Sequence, residues 1–536
     1  MRPARLALAA LLLSVPGPIG CTTPTPSPTP PAATTTTPTP PPTTTTTTPA
    51  RAFDLHIVFT ADEHGWILPF KDKPAGVWRG GVHAAASTMK AEGYAKGASG
   101  WLLLSAGDMW TGPYESTVLE GAPMAAAMKH LGYSAAAVGN HEFDFGTRVL
   151  AERQKGAGFP FLASNIIEQS TGKLPSWARP FTVVDVPIEG GTVKVGVLGL
   201  GCVESPVTAD VRHMVGLQFL PYAQTLKRWL PELKAEKPDV VVVLAHDSIH
   251  SLEPLVPILR AHGIHAMAAG HEHRASVVVD ENDSPDADDD VILCNGGPYL
   301  RSFCRLDLSF DGGKLVKHEQ KIVLVERPIE GPAVVFDERI KEIVDGAEES
   351  AAHIGGEVLV DNKQKLGRGR DGSLGQLVVD AWLEALPYAQ VALTNAGGLR
   401  QDIEAGPLRL RDVVSALPFN NYLLVVDMTG AELKVVLENP ESVVGGMTFH
   451  YHDEVASRRV VTRLIDRDGK EIADGQKIKV IINDFMYRGG DKYRFDDREP
   501  EETAVDWREP IFRLLRDMGQ KGTPLNRGPG SRGIRE

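Results

Sequence analysis

The chain has 536 residues, 42% hydrophobic and 23% charged, which is the balance of a globular protein and excludes a mostly disordered or multi-span membrane chain. Lys and Arg number 56 against 69 Asp and Glu, and a net charge of −13 argues against a nucleic-acid polymer as partner. Four cysteines, Cys21, Cys202, Cys294 and Cys304, are too few for a disulfide scaffold.

The first segment reads as an export signal. Two arginines within Met1–Arg5 precede an apolar run, Leu6–Val15, and small residues lead to Cys21. The run is too short to span a bilayer. Residues 1–20 are therefore expected to be a signal peptide. Gly20-Cys21 resembles a bacterial lipobox, with Pro18 where an aliphatic residue is usual, so Cys21 is expected to be lipidated. The alternative is an unmodified cysteine and an untethered leader. Of residues 22–50, 25 of 29 are Pro or Thr, a composition that buries no core and favours extended backbone. With Cys21, this 21–50 linker reads as a stalk reaching on the order of 90 Å at about 3.1 Å per residue. The folded part is thus expected in the bacterial cell envelope, whether periplasm, outer membrane or cell surface.

From Phe53 onward short β-branched runs alternate with polar loops and helical stretches, an α/β pattern. The runs are Leu55–Phe59, Leu102–Ser105, Ala135–Val138, Val193–Leu198, Val240–Ala245 and Ile264–Ala269. Residues 291–310 read as strand, Gly-Gly-Pro turn and strand. Cys294 and Cys304 flank that turn. Export would allow a hairpin disulfide between them, and two free thiols packed in the sheet are equally open. Asp280 to Asp290 carries seven acidic residues and reads as a solvated loop. Glu338–Ala352 reads as a helix linking two units, the second running to about residue 515. Residues 517–536 read as a loose tail.

Five of these runs end in residues that can bind a metal: Asp62 and His64, Asp108, Asn140 and His141, His246, and His271 and His273. In open α/β sheets such loops converge beyond the carboxyl ends of the strands. Any one of these residues alone is an ordinary polar loop residue. Together they can hold two divalent ions bridged by one carboxylate, and mixed N/O donors suit zinc, manganese, cobalt or iron. Two ions roughly 3.5–4 Å apart can clamp an in-line phosphoryl displacement.

Thr60-Ala-Asp-Glu-His-Gly65, Gly107-Asp108, Gly139-Asn-His-Glu-Phe-Asp144, Ala245-His246 and Gly270-His-Glu-His273 resemble the calcineurin-like metallophosphoesterases, with Ala61 where that family has Asn. The resemblance implies that Asp62, His64, Asp108 and His273 hold one metal and that Asp108, Asn140, His246 and His271 hold the other. It implies that His141 sits beside the transferring phosphoryl group and that Asp144 orients it.

In the second unit, Ser373–Leu377 precedes a helix, Thr394–Arg400 follows the run Val391–Leu393, Leu417–Asn420 lies before a strand, and Asn483–Asp491 follows Ile478–Ile482. Together these resemble the C-terminal domain of the 5′-nucleotidases, which include UDP-sugar hydrolases. The resemblance implies that Phe419 and Phe485 sandwich a nucleobase, that Asn395 bonds the base, and that Asp491 bonds the ribose. It gives the ribose–phosphate part to Arg368 and Arg400, and close backbone approach to Gly397 and Gly398. Gln376 replaces the usual Asn, and Lys492 the usual Gly. The fold expected is a two-domain α/β protein: an N-terminal metallophosphoesterase β-sandwich flanked by helices (51–335), a linker helix (336–354) and an α/β 5′-nucleotidase domain (355–516). The activity implied is release of phosphate from nucleoside 5′-phosphates by in-line attack of metal-bound hydroxide; the partners expected are the nucleotide substrate and, through the lipid anchor, the membrane, and no protein partner is inferred. The alternatives are a UDP-sugar hydrolase, a 2′,3′-cyclic-nucleotide phosphodiesterase, a sulfur-ester hydrolase of the same architecture, or a non-catalytic surface binding protein.

Overall fold

Along the strand Phe53–Thr60, Leu55, Ile57 and Phe59 face one way and Val58 the other, and all four are fully buried. A strand covered on both faces has this pattern. In the computed structural model, which describes residues 52–72, 75–329, 337–454 and 459–536, it lies inside a six-stranded sheet. The order is Lys314–Leu324, Ser302–Asp311, Phe53–Thr60, Trp101–Ser105, Ala135–Ala137 and Phe161–Leu162. A second six-stranded sheet runs Ser276–Asp280, Val291–Asn295, Ala266–Ala269, Val240–Ala245, Gly191–Leu200 and Phe181–Ile188.

Period-two alternation decides how the sheets stack. Val242 and Leu244 pack inward with Leu55, Ile57, Phe59 and Leu104 in a core between the sheets. Val241, Val243 and Ala245 face outward, onto helices Tyr222–Ala235 and Val256–Ala261. The outer face of the first sheet is covered by helix Ala122–Leu131 among others. This is a sandwich flanked by helices. Residues 1–51, with the signal and Cys21, lie outside the described residues, and no described helix is long and apolar enough to cross a membrane.

Cys294 and Cys304 form a disulfide, with Cα atoms 6.3 Å apart, within the normal span. It is not a hairpin bridge. Cys294 belongs to the second sheet and Cys304 to the first, because the chain changes sheets at Gly296–Arg301. The bond therefore staples the sandwich. Under denaturing, non-reducing conditions Cys202, which is buried and free, should be the one thiol of these three to react, with two more appearing after reduction. Three reactive thiols before reduction would remove the staple.

Asp337 caps helix Glu338–Gly355 by accepting from Ile340 N at 3.1 Å. Ile340, Val344 and Ala347 pack into the first half's core, and Ala351 meets Tyr114 and Val414 where the halves touch. In the second half a five-stranded sheet runs Ser442–Gly445, Val391–Asn395, Lys477–Asn483, Tyr422–Thr429 and Glu501–Asp506. Helices Ser373–Ala385 and Glu509–Gln520 cover one face. Ser373–Leu377 is the first turn of its helix and does not precede it.

The tail expected to be loose is docked. Gly533–Arg535 pairs in parallel with Phe449–Tyr451, Leu525 is buried, and Arg527 and Arg532 both bond Asp380. Its Gly and Pro content suggested disorder, and these long-range partners override it.

Candidate active site

The parallel strands end together at one edge of the sandwich. The first sheet delivers Asp62, His64, Asp108, Asn140 and His141, and the second delivers His246, His271 and His273. Five of these sit in the left-handed backbone region, Asp62 (φ 52°), His64 (45°), Asp108 (59°), His271 (71°) and His273 (54°). Non-glycine residues adopt it at a cost on the order of 1–3 kcal/mol each, and such strain gathers at functional sites. Gly139 is needed for close approach: a Cβ there would lie 2.1 Å from Asp108 Oδ1.

The donor atoms form two clusters, Asp62, His64 and His273, and Asp108, His246 and His271, and a third group, His64, Asp108 and His141, overlaps both, each within 4.8 Å. Between them, His64 Nε2 is 3.7 Å from Asp108 Oδ2, and His246 Nε2 is 3.0 Å from the same oxygen. Asp108 thus stands between the clusters. Nδ1 of His64 donates to the Thr111 carbonyl and Nδ1 of His246 to the Ala106 carbonyl, both at 2.9 Å. That assignment leaves each Nε2 lone pair facing the site, as a metal ligand requires. Asp62 Oδ2 and Asn140 Oδ1 are buried with no hydrogen-bond partner. Buried polar atoms normally have one, so a pair of divalent cations fits this donor set. Burial pushes Asp62 up to about 7, with the Asp108 charge adding to it against the pull of His246. Burial and the neighbouring His246 bring His271 down to about 4.

His141 Nδ1 lies 2.7 Å from Asp144 Oδ2, and His141 N donates to Asp108 Oδ1 at 2.9 Å. Burial lowers the His141 pKa, but Asp144 and then Asp108 outweigh it and the net shift is upward. The His141 ring stacks on Phe419 of the second half, with centroids 5.5 Å apart and planes at 16°.

A cavity of about 580 Å³ opens between the halves. Asp108, Asn140, His141 and His271 line one end; Asn395, Gly398, Phe419, Phe485 and Asp491 line the other. Arg400 bridges the ends, its Nη2 3.4 Å from His64 Nε2 and its guanidinium 5.8 Å from the Phe419 centroid. Arg368 is not brought to the cavity. It is exposed, and its Nη1 donates to the Arg400 carbonyl at 2.9 Å, so it braces the loop that carries Arg400. Asn395 is turned to the protein: its Nδ2 donates to Asp491 Oδ2 at 2.7 Å and its Oδ1 accepts from Asn483 at 3.0 Å. Lys492 keeps a left-handed φ of 65° and is exposed. Gln376 is buried away from the cavity lining, its Oε1 unpartnered.

Residues 55–275 match the calcineurin-like phosphoesterases, and residues 351–497 match the 5′-nucleotidase C-terminal domain. The chain belongs to the two-domain 5′-nucleotidase family. It is 25% identical over 496 residues to a 5′-nucleotidase of Vibrio cholerae, covering 83% of this chain and 86% of that one. It is 26% identical over 485 residues to the trifunctional nucleotide phosphoesterase YfkN of Bacillus subtilis; 80% of this chain aligns, with only 32% of that protein. A 5′-nucleotidase precursor of Thermus thermophilus shares the fold, with a TM-score of 0.74 at 24% identity over 90% of this chain and 99% of that one. Like its family, this chain is a hydrolase of the metallophosphoesterase type.

Three residues of this 5′-nucleotidase-family site escaped the sequence reading. Glu142 accepts from three backbone N–H groups, Asp108 at 2.9 Å, Met109 at 2.8 Å and Gly139 at 2.6 Å, and so ties two ligand loops together. Burial, then Asp108, pushes its carboxyl up to about 7. Tyr299, itself at φ 63°, places its hydroxyl 3.3 Å from His273 Nδ1. Glu441 lines the cavity beside Asp491. A buried acid inside a ligand motif was a readable signal for Glu142. Nothing local marked the other two.

Proposed function

We propose that this chain is an exported 5′-nucleotidase that releases phosphate from nucleoside 5′-monophosphates. The observation that carries it is the shared cavity, which sets two aromatic rings and a carboxylate across from the metal-ligand cluster. A base stacked on Phe419 and Phe485 and a ribose bonded to Asp491 would direct the phosphate toward Asp108 and Asn140. Aromatic faces accept any base with little preference. Two divalent ions, when bound by the seven ligands, supply Lewis acidity and a nucleophile at neutral pH.

The chain's own groups do the rest. Arg400 offers its planar fork to the phosphoryl oxygens. Asp144 holds the His141 ring by Nδ1, so that Nε2 can carry the proton that passes to O5′ as the P–O5′ bond breaks. Asn395 orients Asp491, and Glu142 keeps the Asp108 and Asn140 loops in register. Export accords with the sheet-to-sheet disulfide, which needs an oxidising compartment.

The test is a phosphate-release panel of AMP, UDP-glucose, 2′,3′-cyclic AMP, a thio-ester and a small aryl phosphate. AMP should be preferred, and a higher kcat/KM on any other arm replaces the nucleotidase reading with that one. Phe485→Ala should raise the AMP KM roughly 5- to 150-fold, the worth of one stacked base. It should leave the aryl phosphate nearly unchanged, since that substrate has no base for the Phe485 ring to stack on. Phe419→Ala is a less clean probe, because that ring also backs His141. Equal losses of Phe485→Ala on both substrates would make the ring structural core.

A further inference from the structure

We propose that Arg212, on a loop of the first half, is a positioning residue that sets the spacing of the two aromatic rings of the base site. The inference rests on the nucleotidase reading above. Phe419 and Phe485 come from separate loops of the second half, and their immediate neighbours, Asn420 and Asp484, both meet Arg212. Arg212 Nη2 donates to the Asn420 carbonyl at 3.3 Å, and Nη1 lies 3.6 Å from Asp484 Oδ2. The guanidinium also sits over the Tyr422 ring, 5.5 Å from its centroid. One planar fork thus touches both clamp loops, a reach that a point charge lacks.

The loop around Arg212 is itself tied to the catalytic end. His213 Nδ1 bonds the Phe143 carbonyl at 2.8 Å, and Asn140 Nδ2 donates to the Thr208 carbonyl at 3.3 Å. Asp210 caps the short helix Val211–Met214 by accepting from Arg212 N at 3.0 Å. Its Oδ1 also accepts from Arg212 Nε at 2.8 Å, which aims the guanidinium. Residues Pro206, Val207 and Ala209 border a small gap shared with Phe485 and Gly490. On the far side Arg508 Nη2 donates to Asn420 Oδ1 at 3.0 Å, so Asn420 is held from both halves. The Phe485 ring has little freedom of its own, since a Cβ on Gly490 would lie 2.4 Å from it. Tyr422 N donates to Asp484 Oδ1 at 3.0 Å and ties the loops to each other, so removing Arg212 loosens the tie of both loops to the first half rather than freeing a single ring.

The test uses the full-length, metal-loaded enzyme with AMP and a small aryl phosphate. Arg212→Ala should raise the AMP KM about 3- to 30-fold, within the range set by loss of one stacked base. Both kcat and KM for the aryl phosphate should stay within about twofold. Arg212→Lys should show a smaller KM rise in the same direction, and it carries the test if Arg212→Ala does not fold. In a Phe485→Ala background the same change should add little, because residues acting through one clamp are not additive. An unchanged AMP KM, equal losses on both substrates, or full additivity with Phe485→Ala would overturn the role of Arg212 while AMP hydrolysis by the wild type stands. A wild type that cleaves the aryl phosphate but no nucleotide would overturn the nucleotidase reading and this role with it.

Discussion

Asp108→Ala should lower phosphohydrolase activity by about 10³-fold or more, because it removes the one carboxylate that stands between the two donor clusters. Asp108 Oδ2 is within 3.0 Å of His246 Nε2 and 3.7 Å of His64 Nε2, and these histidines belong to different clusters. Its Oδ1 also fixes His141 N. No other carboxylate can take over, since Asp62 is held by the His271 backbone and Glu142 is consumed by three N–H groups. Metal analysis separates this loss from unfolding. The wild type should bind two ions per chain, Asp108→Ala should disturb both, and His271→Ala should mainly empty one. Chelation should abolish wild-type activity and a divalent transition metal should restore it. Full activity in metal-free protein would end the proposed chemistry.

His141→Ala should depress kcat by about 10²- to 10⁴-fold, the usual worth of a positioned proton donor. The loss should be equal for AMP and an aryl phosphate, since His141 acts at phosphorus and not at the base. The pH profile adds a sign. Burial lowers the His141 pKa, Asp144 and then Asp108 raise it by more, and the net shift is upward. If the protonated ring is the active form, kcat is supported below that pKa and falls as pH rises through it. Asp144→Asn removes the largest of the raising charges, so the alkaline limb should move to lower pH with a smaller loss at the plateau. An alkaline limb that stays in place in Asp144→Asn would show that it does not report His141.

The cross-sheet disulfide and the two clamp loops show where local sequence stops being informative. Cys294 and Cys304 are ten residues apart around a turn, and spacing alone leaves a hairpin disulfide and two free thiols equally open. The pairing of Cys294 with Ala268 and of Cys304 with Phe59 puts them in different sheets. Arg368 and Arg400 carry the same charge, yet Arg400 reaches His64 and Arg368 turns back onto a carbonyl. The Asn395 amide, expected on the base, is directed to Asp491, 96 residues away.

The sequence by itself determined the strand runs, the ligand types at their carboxyl ends and the order of the motifs. Those features are local: a buried strand must be apolar, and a ligand must carry a lone pair. The tertiary structure decided what those residues meet. Arg400 lies 336 residues from His64, and Arg212 lies 272 residues from Asp484. Whether such pairs touch depends on how two separately packed cores dock, and no short-range pattern of hydrophobicity or charge encodes that docking. The same holds for Phe419 on His141, a contact that joins the base site to the catalytic group.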